Sequence, residues 1–111
     1  DEVIDILQPD VMWCGGLTEL LRISALAAAY DIPVVPHGSG AYSYHFVITQ
    51  PHCPFCEYLN TSSDCLSFPA VFGNMFENEI LPENGRIILS DEPGWGLRIN
   101  REELNLKRIQ Y

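Results

Sequence analysis

The sequence predicts an α/β fold organised around short parallel strands, and two observations carry that reading. Short apolar runs alternate with stretches of helical spacing over residues 1–60, the order that parallel strands joined by helical crossovers produce. The runs also read as short apolar stretches rather than a regular apolar-polar alternation, as strands covered on both faces do. With 111 residues, 47% of them hydrophobic, the chain is sized for one domain or a part of a larger one and is too apolar to stay disordered.

The first run, Ile4 to Leu7, is interrupted by Asp5 and closed by Gln8-Pro9-Asp10. Gly15-Gly16 then punctuates the chain before LTELLRISALAAAY, where Leu17, Leu20, Leu21, Ala25 and Ala28 recur at helical spacing. Glu19 in the first turn suits the helix dipole. Asp31 and Pro33 are expected to end this helix, because a residue before proline avoids the helical region. The second strand is the run into Val34-Val35, which delivers Pro36-His37-Gly38-Ser39-Gly40. A weaker helical stretch, Ala41 to Gln50, stops at Pro51, and a third apolar run covers Phe55 to Leu59. Three strands with two crossovers leave a sheet incomplete, so the expected object is a slice of a larger α/β fold.

From Thr61 onward the composition turns to loop chemistry, with Ser62-Ser63-Asp64, Pro69, Asn84-Gly85, Pro93-Gly94 and Gly96. Short strands are expected at Arg86 to Leu89 and Gly96 to Asn100, and a solvated tail over Arg101 to Arg108. The domain division read from these shifts is 1–60 for the strands and helices and 61–111 for the loop-rich segment.

Fifteen acidic against six basic residues give a formal charge of −9, which argues against nucleic acid and anionic membranes as partners. An anionic substrate would need a local cation. The longest apolar run, Ala25 to Tyr30, is far too short to span a bilayer. No basic stretch followed by an apolar one opens the sequence, and a cytoplasmic location is expected.

Three titratable residues fall at the ends of the three strands: Asp10, His37 and Glu57. Each alone has an ordinary explanation, as a turn former, a solvated histidine or an edge residue. Together they sit where strand ends carry the chemistry of β/α enzymes. A histidine acting as acid or base needs one ring nitrogen fixed by a carboxylate. Asp10 beside His37 would form such a dyad, and Glu57 would face a developing enolate oxygen. The set describes proton abstraction next to a carboxylate. Cys53-Pro54-Phe55-Cys56 offers another reading, a redox or zinc-binding module. The motif lacks a good helix start after it, and Cys65, His45 and His52 fit no ordinary finger spacing. Reduced cysteines acting as small hydrophobes are the simpler account.

The motifs QPD, the Gly-Gly helix start, VPHGSGAYSYHF, PFCEYL and PGWGL resemble the later barrel segment of the enolase superfamily, in its mandelate racemase-like subgroup. The resemblance implies the carboxy-terminal portion of a (β/α)-barrel, about strands 6 to 8. An irregular segment follows it and returns to an amino-terminal capping domain outside this chain. It implies a sugar-acid substrate that loses its C2 proton and then its 3-hydroxyl as water. His37 would be the base and the returning acid, Asp10 its orienting partner, Glu57 the group beside the enediolate, and Gly38 and Ser39 lining of the pocket. The family's Mg2+ would be held by residues absent from this chain, so this chain alone should be inactive. A homo-oligomeric full-length enzyme is expected. The dyad by itself does not separate dehydratases from racemases of the group.

Overall fold

A computed structural model describes residues 3–38 and 40–103. The chain divides into two compact units, Asp1–Leu59 and Asn60–Tyr111.

In the first unit two stretches of backbone pair in parallel, through the bridges Leu7 with Val34 and Asp10 with His37. The connecting bonds are Leu7 N to the Pro33 carbonyl at 2.9 Å, Val35 N to Leu7 O at 2.9 Å and His37 N to Pro9 O at 3.0 Å. A continuous parallel ladder would next require a donor at residue 9. Pro9 has no N–H, so the pairing breaks into two isolated bridges. Val34 and Val35 are both buried, although neighbouring side chains point to opposite faces; the strand is covered on both sides, as its sequence suggested. The third run, Phe55–Leu59, forms no strand among the described residues. Its approach ends with Val34 N on the His52 carbonyl at 3.3 Å, two residues before Pro54 removes another donor.

Helix α1 spans Leu17–Ala28. Gly15 and Gly16 enter it at φ of 110° and 86°, the left-handed region open to glycine. At its end Asp31 N bonds Ala28 O at 3.2 Å and Ile32 N bonds Ala27 O at 3.0 Å. Asp31 is left-handed, with φ 56°. This is a Schellman closure with aspartate in the usual glycine position, and Ile32 packs back against the core. The buried face is Leu20, Ser24 and Ala27, whereas Leu21 and Leu26 are exposed. The face expected through Leu21, Ala25 and Ala28 is therefore rotated. The rotation follows from Ser24, whose hydroxyl is satisfied inside by Gln50 Oε1 at 3.2 Å and His52 Nε2 at 3.0 Å. The single hydroxyl proton goes to Gln50, so the His52 Nε2–H donates to Ser24 Oγ.

Helix α2 spans Ala41–Thr49. It contributes Phe46 to a core of Val11, Leu20, Ala27, Val34 and Phe46. No helix among the described residues is long and apolar enough to cross a membrane.

The second unit is held largely by polar clamps. Glu79 accepts the Val71 and Phe72 N–H groups at 2.5 and 3.0 Å, and Phe72 meets Phe76 edge to face. Met75–Glu77 pairs antiparallel with Arg98–Asn100 through the Phe76–Ile99 bridge. The Asn78 amide continues that pairing to Gly96 O and Arg98 N, both at 2.7 Å. Asn84 and Gly85 have φ of 50° and 73° between Glu83 and Arg86, whose backbones exchange both hydrogen bonds; this is the two-residue hairpin that Asn-Gly favours. The strand expected over Arg86–Leu89 shrinks to that turn, while the one over Gly96–Asn100 is present in its second half. Residues 101–103 form an exposed turn, and the rest of the expected tail lies outside the described residues.

Candidate active site

The paired backbone aims the candidate histidine. His37 N is held by Pro9 O, while Pro36 fixes φ on one side and Gly38, at φ 85°, turns the chain on the other. The imidazole is half exposed at the end of a buried strand, and its Nδ1 lies 3.0 Å from Glu57 Oε2. The same oxygen accepts the Gly38 N–H at 2.5 Å. One carboxylate oxygen thus grips the ring and the turn that follows it.

The pair is an ion pair when the imidazole is protonated. A carboxylate only accepts, so this neighbour favours a proton on Nδ1 and leaves Nε2 as the nitrogen that would exchange one with a substrate. This is the electronic arrangement of a general base backed by a carboxylate.

Asp10 stands beside His37 in the bridge, but its side chain is otherwise engaged. Asp10 Oδ1 accepts the Met12 N–H at 2.7 Å, and its carbonyl accepts Trp13 N and Cys14 N. The side-chain dyad drawn from the sequence is thus not the pairing seen. The backbones of Asp10 and His37 pair, and the imidazole is on Glu57. The reason is local: an aspartate opening a turn bonds its own backbone two residues on. Gly38 supplies an N–H to the site, a contribution that its place in a glycine-rich turn had left unspecified. Ser39 lies outside the described residues.

Tyr42 was not singled out from the sequence, yet its ring lies over Gly40, where a Cβ would come within 2.8 Å of it. Burial, and secondarily the charge of Asp10, raises its pKa, so the phenol is neutral at physiological pH. The signal was available only as an aromatic two residues after a glycine, which periodicity does not mark.

Cys53 and Cys56 are free thiols, and burial raises the pKa of both. A redox pair requires the opposite shift. Among the described residues no group of three or more His, Cys, Asp or Glu is placed to hold a metal ion. The residues present therefore do not fit a magnesium site, and no step is derived through one.

The fold and this strand-end set define a class: the chain belongs to the Enolase C-terminal domain-like family, whose model matches residues 1–104, and it has the fold of a carboxy-terminal portion of that (β/α)-barrel. It is 49% identical over 104 residues to the L-rhamnonate dehydratase of Saccharopolyspora erythraea, covering 94% of this chain and 26% of that protein. The crystal structure of L-rhamnonate dehydratase from Gibberella zeae superposes with a TM-score of 0.82 at 58% identity, over 88% of this chain and 26% of that one. A second structure of the Gibberella zeae enzyme is complexed with Mg. L-Talarate dehydratase from Polaromonas sp. JS666, complexed with Mg and L-glucarate, superposes at 0.66 with 27% identity, over 86% of this chain and 24% of that one. The chain thus spans about a quarter of the length of the relatives it matches.

Proposed function

We propose that this chain carries the acid–base end of the active site of a sugar-acid dehydratase that converts L-rhamnonate to 2-keto-3-deoxy-L-rhamnonate and water. The observation that carries the reading is the Glu57–His37 contact at 3.0 Å at the end of a paired strand. It supports Nε2 as the proton acceptor, since the carboxylate beside Nδ1 favours a proton there. The likeness to L-rhamnonate dehydratases over most of this chain supports the choice of substrate.

In this reading His37 Nε2 takes the C2 proton, and the electron pair of the C–H bond moves into the adjacent carboxylate to give an enediolate. Collapse of the enediolate expels the C3 oxygen, which takes a proton from His37 and leaves as water. The resulting enol becomes the 2-keto acid. Glu57 holds the Nδ1–H tautomer before substrate enters and faces the enediolate after it. Asp10, already in register with His37, then takes over the orienting role. Gly38 lines the pocket in this reading. Magnesium belongs to the proposal as the cofactor of the longer protein, held by residues beyond those described. Residues 61–111 are assigned to packing toward a capping domain, and the whole protein to a cytoplasmic homo-oligomer.

The test uses the full-length protein with Mg2+ and a panel of sugar acids including L-rhamnonate, assaying 2-keto-3-deoxy product for wild type and His37→Asn. Turnover of L-rhamnonate that vanishes in the variant is the expected result. Turnover of a different acid would change the substrate and keep the chemistry. C2 deuterium exchange without product would favour a racemase, and a fully active His37→Asn enzyme would remove the proposed base.

A further inference from the structure

Gly40 is buried between the His37 turn and α2, and its carbonyl accepts the Ser43 and Tyr44 N–H groups at 3.0 and 3.1 Å to start that helix. Its backbone is extended, with φ 164°, a conformation any residue adopts. The demand for glycine must come from elsewhere. A Cβ built there would lie 2.8 Å from Tyr42 Cε1 and Cζ and 3.1 Å from its hydroxyl oxygen. The edge of the phenol therefore occupies the volume that any other residue at position 40 would fill.

That ring is well placed to act on His37. Gly40 is three residues from the histidine; Glu57 holds the Gly38 N–H, and the Tyr42 ring lies against Gly40. Tyr42 also packs against the core cluster of Val11, Leu20, Ala27, Val34 and Phe46, which ties Gly40 to the core. We propose that Tyr42 is a positioning residue for His37: its ring, seated on Gly40, fixes the glycine-flanked turn that carries the histidine. The proposal rests on the reading of His37 as the base. It adds the feature that sets the reach of that base toward C2. The phenol is neutral, for the reasons given above, and brings no second negative charge toward Asp10.

The experiment takes the full-length protein in five forms: wild type, Tyr42→Phe, Tyr42→Ala, Gly40→Ala and the Gly40→Ala/Tyr42→Ala double variant. Two measurements are made on each, kcat and KM for L-rhamnonate with Mg2+, and the rate at which diethyl pyrocarbonate modifies His37, read by peptide mass spectrometry. Tyr42→Phe keeps the ring and should stay within about twofold of wild type. Tyr42→Ala should lose kcat by about tenfold or more with KM little changed, since misplacing a reacting group by a fraction of an ångström acts on the transition state. Gly40→Ala should do the same by pushing the ring away. The double variant should be no worse than either single, because both remove one contact. His37 modification should shift in both alanine variants and not in Tyr42→Phe. A merely structural residue would move the melting temperature and leave this pattern absent. Losses that multiply in the double variant, or unchanged kcat and His37 reactivity in both singles, would overturn the proposal. If wild type turns over no sugar acid but the His37 reactivity pattern holds, the dehydratase reading fails and the role of Tyr42 stands.

Discussion

Glu57 carries more of the site than any other residue, and Glu57→Gln measures how much. In the structure its Oε2 accepts from Gly38 N at 2.5 Å and lies 3.0 Å from His37 Nδ1. Glutamine keeps the size and loses the charge. Its amide oxygen can still accept from Gly38, but the carboxylate beside Nδ1 is lost. A hydrogen bond to a charged group contributes about 1.5–3 kcal/mol, or roughly one to two decades in rate at about 1.4 kcal/mol per decade. With Asp10 proposed to orient His37 once substrate is bound, the expected fall in kcat is about 10–10². The assay is initial-rate kinetics on the full-length protein with L-rhamnonate and Mg2+. A kcat within about threefold of wild type would refute the reasoning that Glu57 acts on this site.

The remaining predictions concern neighbours of the site and the frame beneath it. Asp10→Asn keeps an oxygen for the Met12 N–H, so melting should be unchanged; a kcat loss above tenfold would then report the orienting role proposed for Asp10, and wild-type kcat would remove it. Asp31→Gly relieves a left-handed aspartate at φ 56° and should raise stability by about 0.5–1 kcal/mol in thermal denaturation. Ser24→Ala leaves the part-buried Gln50 and His52 groups without their partner and should cost about 1–3 kcal/mol, measurable by the same method. Asp64 accepts the Leu66 and Ser67 N–H groups and the Ser67 hydroxyl, which lower its pKa from 3.8 to about 2. A carboxylate depressed in the folded state stabilises it above the unfolded pKa and loses that effect as the pH falls through the folded one. The stability difference between wild type and Asp64→Ala should therefore be constant above about pH 5 and shrink as the pH falls toward 2, and a difference independent of acid would contradict it.

What the sequence made legible was the order of elements and the ends of the helices. Asp31 and Pro33 stop α1 where expected, Pro51 stops α2, and Asn84-Gly85 is the turn that the pair favours. Strand continuity was not legible, because an apolar run says nothing of hydrogen-bond donors. Pro9 and Pro54 each remove one, and the three expected strands become two isolated bridges and a run that forms no strand among the described residues. The buried face of α1 was misjudged for a related reason. The face read through Leu21, Ala25 and Ala28 takes no account of Ser24, whose hydroxyl meets Gln50 and His52 from the segment after α2. Asp10 and His37 could be picked out as groups at the end of paired backbone, while Glu57 lies in a run that forms no strand among the described residues. Which carboxylate meets the imidazole depends on side-chain rotamers and on the competing Met12 N–H, and neither is written in spacing.

The prolines that interrupt the pairing also explain how the strand presents its histidine. Position 9 leaves out the donor of an otherwise regular register, and Pro36 leaves no N–H before His37. The pairing runs to the Asp10–His37 bridge, with His37 N on Pro9 O. Beyond it the backbone turns at Gly38, whose left-handed φ directs its N–H to the Glu57 carboxylate. A continuous ladder would have carried residue 38 onward in the strand, with its N–H spent on the neighbouring chain and its side chain on alternate faces. Ending the ladder at His37 instead frees the next N–H for the carboxylate that also holds the ring. The tautomer of the candidate base and the termination of its strand are then set by the same few atoms. A change at Pro9 or Gly38 should accordingly disturb the acid–base chemistry before it disturbs the core of Leu20, Val34 and Phe46.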